Sequence, residues 1–501
     1  MVELKAKIFD VEQGQSECVL NEVRAAELGL SLYDRVQLKL RGKQAVAIVD
    51  HSQKAIGTDE IGLFDEVSKL LDANDGELVS LEPLQRPLSL DYIKKKLDGK
   101  ILSQKEVHTI IRDLMHENLS PTELAAFVSA IYIHGLSMDE TIALTNAIAE
   151  SGDTLKISNA IVVSEHSIGG VAGDRVAMLI VPIIASLGIK MPKTAARAIS
   201  SASGTADSME VLTSVSLSVS QIENVVQKTN GCLVWGGAVR LASADDKLIK
   251  IRNPLRMDPK SLLLSSILAK KKAESAQYVL IDIPVGRGAK IEKIDEGHML
   301  ARDFESLGSS LGMQIKCLIS DGSAPISSGI GPALEAREVL RTFETNEHNM
   351  LYEKACLMSG IILHMVRGIS QQEGYKIAIQ QMQSGKAYEK LKEIIGAQGG
   401  NPNLRSSDIP IGKISAKILA EERGKISHID NKALSRVCRM LGAPTDKRAG
   451  ILLKVKNGEN VEKDDEIAEL IATSQQKLDY CIEHMQVNRI FEVEKIIIDL
   501  I

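Results

Sequence analysis

Residues 160–188 read AIVVSEHSIGGVAGDRVAMLIVPIIASLG. The opening run, 160–164, has the β-branched, apolar composition of a buried strand. It passes into a turn carrying His166, Ser167, Gly169, Gly170 and Gly173, and then into an apolar helix, VAMLIVPIIASLG. A strand that feeds a helix through a glycine-rich turn is the repeating unit of α/β domains. The alternation continues to about residue 400, where YVLIDIPV (278–285) and IKCLIS (315–320) lie between helical stretches. Functional loops belong at the ends of such strands.

Working outward, the periodicity changes on both sides. Residues 1–84 alternate short apolar runs (AKIFDV, RVQLKL, AVAIVD, ELVSLE) with polar turns, the pattern of a small β-rich domain. Glu82-Pro-Leu-Gln-Arg-Pro87 reads as a linker, because its prolines remove backbone donors and restrict the residues before them. From Ser89 to about Gly152 the period is helical. Ser103 with Glu106, Ser120 with Glu123 and Ser137 with Glu140 have capping-box spacing, in which serine and glutamate satisfy each other's orphan amides. Val107, Ile110, Ile111 and Leu114, and then Leu124, Phe127, Val128 and Ile131, form apolar stripes behind the first two boxes. After about residue 405 the chain is β-rich again, with Asn457-Gly458 as a turn between runs. The expectation is a multidomain α/β protein: an N-terminal β-rich domain (1–84), a helical bundle domain (85–157) joined by a later helical segment near 258–273, a central α/β domain (158–404) and a C-terminal α+β domain (405–501).

Composition narrows the function. At 501 residues the chain exceeds what one hydrophobic core usually organises. A net charge of -6, from 60 basic and 66 acidic side chains, gives no footprint for a nucleic-acid backbone. The start, MVELKAKIFDVEQ, lacks the basic and apolar regions of a secretory leader, and the most apolar run (177–189) is interrupted by Pro182 and Gly188. Neither a signal peptide nor a membrane span is expected. Cys18, Cys232, Cys317, Cys356, Cys438 and Cys481 lie far apart, without a C-x-x-C pair or histidines at ligand spacing. They read as reduced thiols of a cytoplasmic protein with no metal site.

The loops of the central domain favour anions. The turn 166–174 exposes backbone amides beside a helix N-terminus, where a phosphate is stabilised. A second turn, Lys193 to Asp207, carries Lys193, Arg197 and five hydroxyl side chains. Arg197 has the geometry for a bidentate clamp on phosphate, and the alternative is a solvated loop with Thr205 or Asp207 capping the next helix. Gly286-Arg-Gly-Ala-Lys290 and Ser327-Ser-Gly-Ile-Gly331 extend the theme, although neither completes a dinucleotide or P-loop fingerprint.

In order, EHSIGGVAGD, KTAARAISSASGTADSMEVL, GCLVWGGAVRLASADD, MDPKSLLLSSILAKK and VLIDIPVGRGAK resemble the successive motifs of the nucleoside phosphorylase II family. The likeness is to the thymidine phosphorylase branch and, more closely, to the archaeal-type AMP phosphorylase branch. It extends through the N-terminal β module to the C-terminal GAPTDKRAGILL. The resemblance implies phosphorolysis of a nucleoside 5′-monophosphate: AMP and phosphate give adenine and ribose 1,5-bisphosphate, with CMP and UMP as further substrates. Inorganic phosphate is a co-substrate, and no metal or organic cofactor is implied. Partners would be AMP, phosphate and further copies of the chain in a homodimer or larger homo-oligomer, with no nucleic acid and no membrane.

Carried over motif by motif, the substrate contacts implied are Gly170, Ala196, Arg197, Ala198, Ile199, Ser200, Ser201, Thr205, Ser266 and Lys290, and Asp258 is the implied proton donor. A base leaving ribose accumulates negative charge that a positioned carboxylic acid can neutralise, whereas the structural alternative for Asp258 is a helix cap before PKSLLL. Lys270, four residues after Ser266, shares its helical face, or else is a solvent-facing stem in the run AKKKA. Lys290 and Arg197 are candidate clamps for either anion. His166 and Ser167 either contact substrate or brace the turn.

Against the thymidine branch, Glu165 replaces a lysine, and Ala177 and Ala195 replace hydroxyl residues of the phosphate site. Ala196 replaces a serine of the AMP branch. A carboxylate near an incoming phosphate is repulsive unless it is neutralised or turned away. The rival readings are a thymidine phosphorylase acting on nucleosides and a catalytically weak nucleotide-binding paralogue.

Overall fold

The computed structural model describes residues 2–157, 160–198 and 201–494. The N-terminal region holds β1 (Val2–Ile8), β2 (Glu17–Asn21), α1 (Glu22–Glu27), β3 (Arg35–Leu40), β4 (Lys43–Ser52), β5 (Glu60–Leu63), α2 (Asp65–Leu71) and β6 (Leu78–Leu84). There follow α3 (Ser89–Leu97), α4 (Gln104–Met115), α5 (Pro121–His134) and α6 (Met138–Glu150). The central region runs β7 (Val163–Ser167), α7 (Ala177–Ser186), β8 (Met191–Ala195), α8 (Thr205–Met209), α9 (Val219–Thr229), β9 (Gly231–Trp235), α10 (Ser243–Leu255), α11 (Lys260–Ala273) and β10 (Tyr278–Val285). It continues with α12 (Ile294–Ser310), β11 (Gln314–Asp321), β12 (Gly329–Ile330), α13 (Pro332–Thr345), α14 (Met350–Arg367), α15 (Gln371–Gln383) and α16 (Lys386–Ala397). The C-terminal region comprises β13 (Ile414–Leu419), β14 (Gly424–Ile429), α17 (Asn431–Leu441), β15 (Gly450–Leu453), β16 (Asn460–Val461), β17 (Glu466–Ala472), α18 (Gln475–His484) and β18 (Phe491–Glu494).

Contacts divide the chain into two units. One comprises the chain up to Gly152 together with Ala242–Ala269, and the other Asp153–Leu241 with the chain from Lys270 onward. In the first unit, β1 to β6 close into a barrel of order β1-β5-β2-β4-β3-β6, so no strand edge is left to pair with another chain. Leu4, Leu20, Val36, Leu38, Val49, Ile61 and Leu81 fill it. The linker read from Glu82 to Pro87 is shorter than expected, because β6 runs to Leu84 and Pro83 pairs with Val36 of β3. Proline is tolerated there because the pairing with β1 stops at Leu81, so no donor is owed on that side.

All three capping boxes form, at the N-termini of α4, α5 and α6. Their stripes meet in a core of Ile110, Val128 and Leu144, which Leu248 of α10 and Leu262 of α11 join. The later segment therefore enters the bundle from Ala242, earlier than its periodicity indicates. The polar opening of α10, Ser243-Ala-Asp-Asp246, masks its one buried face.

In the second unit, β11, β10 and β7 form one parallel sheet and β8 and β9 another. A parallel bridge between Val162 and Lys190 connects them. Beneath lies α7, buried on all sides. It runs through Pro182 because Met178, Leu179, Ile180, Val181, Ile183 and Ile184 are all fully buried. At about 1.5–3 kcal/mol for each large apolar side chain, that burial outweighs the ~3 kcal/mol that an internal proline costs. The C-terminal region forms sheets of order β12-β15-β17-β13 and β16-β14-β18. Its first strand, β12, comes from the Ser327–Gly331 loop, so that loop is partly a strand paired with Ile451 and Leu452.

Candidate active site

The first turn begins later than the sequence period indicates. Because β7 pairs with β10 as far as Ser167↔Asp282, His166 and Ser167 end a strand and do not belong to the loop. Burial, and then Lys193, Lys271, Lys270 and Lys290, hold the His166 imidazole well below its ordinary pKa, so it is neutral. Gly170 follows with φ at +100°. A Cβ there would lie 2.7 Å from the Lys290 backbone nitrogen, so glycine is required both for its conformation and for the close approach. Gly170 and Lys290, far apart in sequence, are thereby brought together. Behind the turn, the Ala172 amide donates to Asn431 Oδ1 (2.9 Å), the Ser327 hydroxyl donates to the Gly173 carbonyl (2.9 Å) and Lys354 Nζ binds Asp174 Oδ2 (2.9 Å).

The second turn is filled from within. Asp207 Oδ2 accepts from the amides of Ala198 (2.7 Å) and Gly204 (2.9 Å), and its other oxygen accepts from Arg197 (3.2 Å). The Arg197 fork grips both oxygens of Glu210, at 2.7 and 2.6 Å, and its guanidinium lies 4.7 Å above the Trp235 ring. Lys447 pairs with the same glutamate. These contacts, the Arg197 hydrogen bonds foremost, pull the Glu210 carboxyl down to about 2. Arg197 therefore does not stand as an open clamp: its charge is met by two carboxylates of its own chain, which the composition of the turn alone does not indicate. Asp207 caps the start of α8 from its third position, through the Gly204 amide, and is buried, so this is not a solvated loop. Ser201 donates to the Ser203 carbonyl (3.0 Å), the Thr205 hydroxyl lies 3.5 Å from an Arg175 nitrogen, and the Ala196 carbonyl accepts from the Ala206 amide (3.3 Å). Ile199 and Ser200 lie outside the described residues.

The repulsion expected of Glu165 is cancelled. Its side chain is buried, and Lys193 Nζ lies 2.8 Å from its Oε1 while donating to its backbone carbonyl at 2.7 Å. Ala177 and Ala195 add no polar atom to this region; Ala177 is buried in the apolar core with α7. On the neighbouring positions of the same strands, Ser164 and Thr194 meet a buried pair, Lys271 and Glu274. In the sequence Lys271 is one member of the run AKKKA, with no signal that distinguishes it from Lys270 and Lys272.

Asp258 and Ser266 belong to the first unit. Asp258 precedes α11 and accepts from Arg252 of α10 at 2.5 Å, and its side chain is 38% exposed, which leaves it accessible. The buried Ser266 hydroxyl donates to Asp245 of α10 at 2.7 Å. Arg252 and Asp245 were missed because α10 itself was. Lys270 is one helical turn after Ser266, just beyond the point where α11 passes from the first unit to the second. Among the described residues, no group of histidine, cysteine and acidic side chains is arranged to hold a metal ion. The six cysteines are free.

Residues 90–152 match the helical bundle domain of the glycosyl transferase family and residues 159–388 its α/β domain. Residues 425–491 match the C-terminal domain of pyrimidine nucleoside phosphorylases. Anthranilate phosphoribosyltransferase from Thermus thermophilus shares the fold at 18% identity with a TM-score of 0.53, covering 62% of this chain and 99% of that one. The modules together define a pentosyl-transferring enzyme. AMP phosphorylase of Methanosarcina mazei is 43% identical over 97% of this chain and 96% of its own. That of Thermococcus kodakarensis is 44% identical over 95% of each. The chain belongs to the AMP phosphorylase family. No helix among the described residues is long and apolar enough to cross a membrane.

Proposed function

We propose that the protein catalyses phosphorolysis of AMP, with phosphate displacing adenine from C1′ to give adenine and α-D-ribose 1,5-bisphosphate, and that it accepts CMP and UMP as further substrates. The observation that carries this reading is the end-to-end similarity to proteins named AMP phosphorylase. In this reaction the C1′–N bond breaks as a C1′–O bond to phosphate forms, and the departing nitrogen takes a proton. Asp258 is the donor in this reading, oriented by Arg252. Ser266 borders the base, held in place by Asp245. The turn around Gly170, with Lys290 beside it, receives an anion through backbone amides and one ammonium. Inorganic phosphate is the only co-reactant, and the protein works in the cytoplasm as a homo-oligomer.

The test is to incubate the purified protein with AMP, CMP, UMP or thymidine, with and without phosphate, and to follow free base by chromatography. Phosphate-dependent adenine release from AMP is expected, reduced by about 10²–10⁴-fold in Asp258→Asn. Release from thymidine alone would assign the nucleoside branch, and tight AMP binding with no base release would assign a binding paralogue.

A further inference from the structure

Beside His166 lies a set of buried charges that the proposed reaction does not use. Ser164 and Glu165 of β7, Lys193 and Thr194 of β8, Lys271 in the last turn of α11, and Glu274 just after it are all buried. The Glu274 carboxylate accepts from Lys271 Nζ at 3.0 Å on each oxygen, from the Ser164 hydroxyl at 2.6 Å and from the Thr194 amide at 3.1 Å, and the Thr194 hydroxyl donates to it as well. Lys271 also reaches the Ser164 oxygen, at 3.1 Å.

The backbone leaves a gap that this network closes. Pairing between β7 and β8 is confined to their starts, at the Val162–Lys190 bridge and the Val163 amide bonded to the Lys190 carbonyl. Further along there is no ladder to hold Ser164 to Thr194, although β7 goes on to carry His166 and β8 the turn from Ala196 to Thr205. Side chains at 164 and 166 project from the same face of a strand, so the clamp lies on the side that His166 faces. Buried ion pairs are weak contributors to stability, since apolar replacements of similar volume often do as well. A fully satisfied polar network fixes geometry instead.

We infer that Lys271 and Glu274 are positioning residues that clamp β7 to β8 and so set where His166 stands relative to the turn beginning at Ala196. Lys271 also adds to the ring of cations around His166, which comprises Lys193 of β8, Lys270 and Lys271 of α11, and Lys290 after β10. The anions in the same network are Glu165 and Glu274. Burial lowers the Lys271 ammonium to about 8, with Glu274 opposing that shift. The imidazole is kept as a neutral hydrogen-bonding group, one ring nitrogen donating and the other accepting.

The activity arm of the test rests on the phosphorolysis reading, and the second arm does not. Lys271→Met/Glu274→Gln removes both charges at similar volume. It should melt within a few degrees of the parent yet lose at least about tenfold in kcat for adenine release. With 13C-labelled histidine, and His166→Asn to assign the signal, the parent His166 should stay neutral well below the ordinary imidazole range, and in the double variant its signal should shift and it should protonate at higher pH. Thr194→Val, which removes a single donor to Glu274, should give a smaller change of the same kind if the double variant does not fold. An unchanged His166 titration in a folded variant would overturn the inference, whether or not activity falls. If the parent itself releases no base, the phosphorolysis reading fails and the histidine titration still decides.

Discussion

The turns after β7 and β8 both lead from a parallel strand into a helix, yet they differ in what occupies them. The turn after β7 rests on Gly170 packed against the Lys290 backbone, and lysines surround His166 in the strand before it. The turn after β8 is occupied by carboxylates of its own chain: Asp207 takes the Ala198 and Gly204 amides, and Glu210 takes the Arg197 fork. Composition shows that a loop can bind an anion. Whether an internal anion already does so depends on acidic residues one turn into the next helix.

Four single substitutions and one second-site change probe the contrast. The largest effect is expected at the pair that precedes both turns. Glu165→Lys, which restores the residue of the thymidine branch, sets two ammonium groups together where Glu165 and Lys193 now pair, and should cost about 3–5 kcal/mol in urea unfolding. Adding Lys193→Glu, which restores an opposite charge beside it, should recover most of that loss. Asp207→Ala strips the second turn of one internal anion and should lower stability by about 1–3 kcal/mol, since two partly buried amides lose their acceptor. If stability were unchanged, the turn would not depend on that filling. Gly170→Ala strains the first turn and should cost about 1–2 kcal/mol, with the KM for phosphate raised more than the KM for AMP.

The smallest effect concerns Glu210. Because its carboxyl is held at about 2 against an ordinary 4.5, its contribution is fully present above pH 4.5 and is lost as pH falls toward 2. Glu210→Gln should therefore lower the urea midpoint at pH 7, modestly because the pair is partly solvated, and flatten the fall of the midpoint across that window. An unaltered acid slope would show that the Arg197–Glu210 pair is screened by solvent.

Much of this architecture was legible from local rules. The capping boxes at Ser103, Ser120 and Ser137 each involve residues three apart, and the stripes behind them repeat at helical spacing, so sequence and structure agree there. The Asn457-Gly458 turn was legible for the same reason. What escaped depends on distant partners. β2 and β5 are too short to show alternation and exist because the barrel closes on them. α10 carries its buried face behind an acidic opening. Of the candidate site residues, sequence named the turns but not their state. Arg197 is the same residue whether it faces a ligand or Glu210, and Lys271 becomes distinct from its neighbours only when Glu274 and Ser164 surround it.

The two residues of β12 set a constraint on the order of synthesis. Gly329 and Ile330 pair with Leu452 and Ile451, so this edge of the C-terminal sheet emerges from the ribosome about 120 residues before its partner. At roughly 5–20 residues per second, the interval is about 6–25 s. During that time the glycine-flanked segment, already tied to the first turn through Ser327, waits without a ladder. The C-terminal strands are thus the last part of the chain able to complete the support behind that turn, and a stalled or truncated chain would carry the turn without its backing.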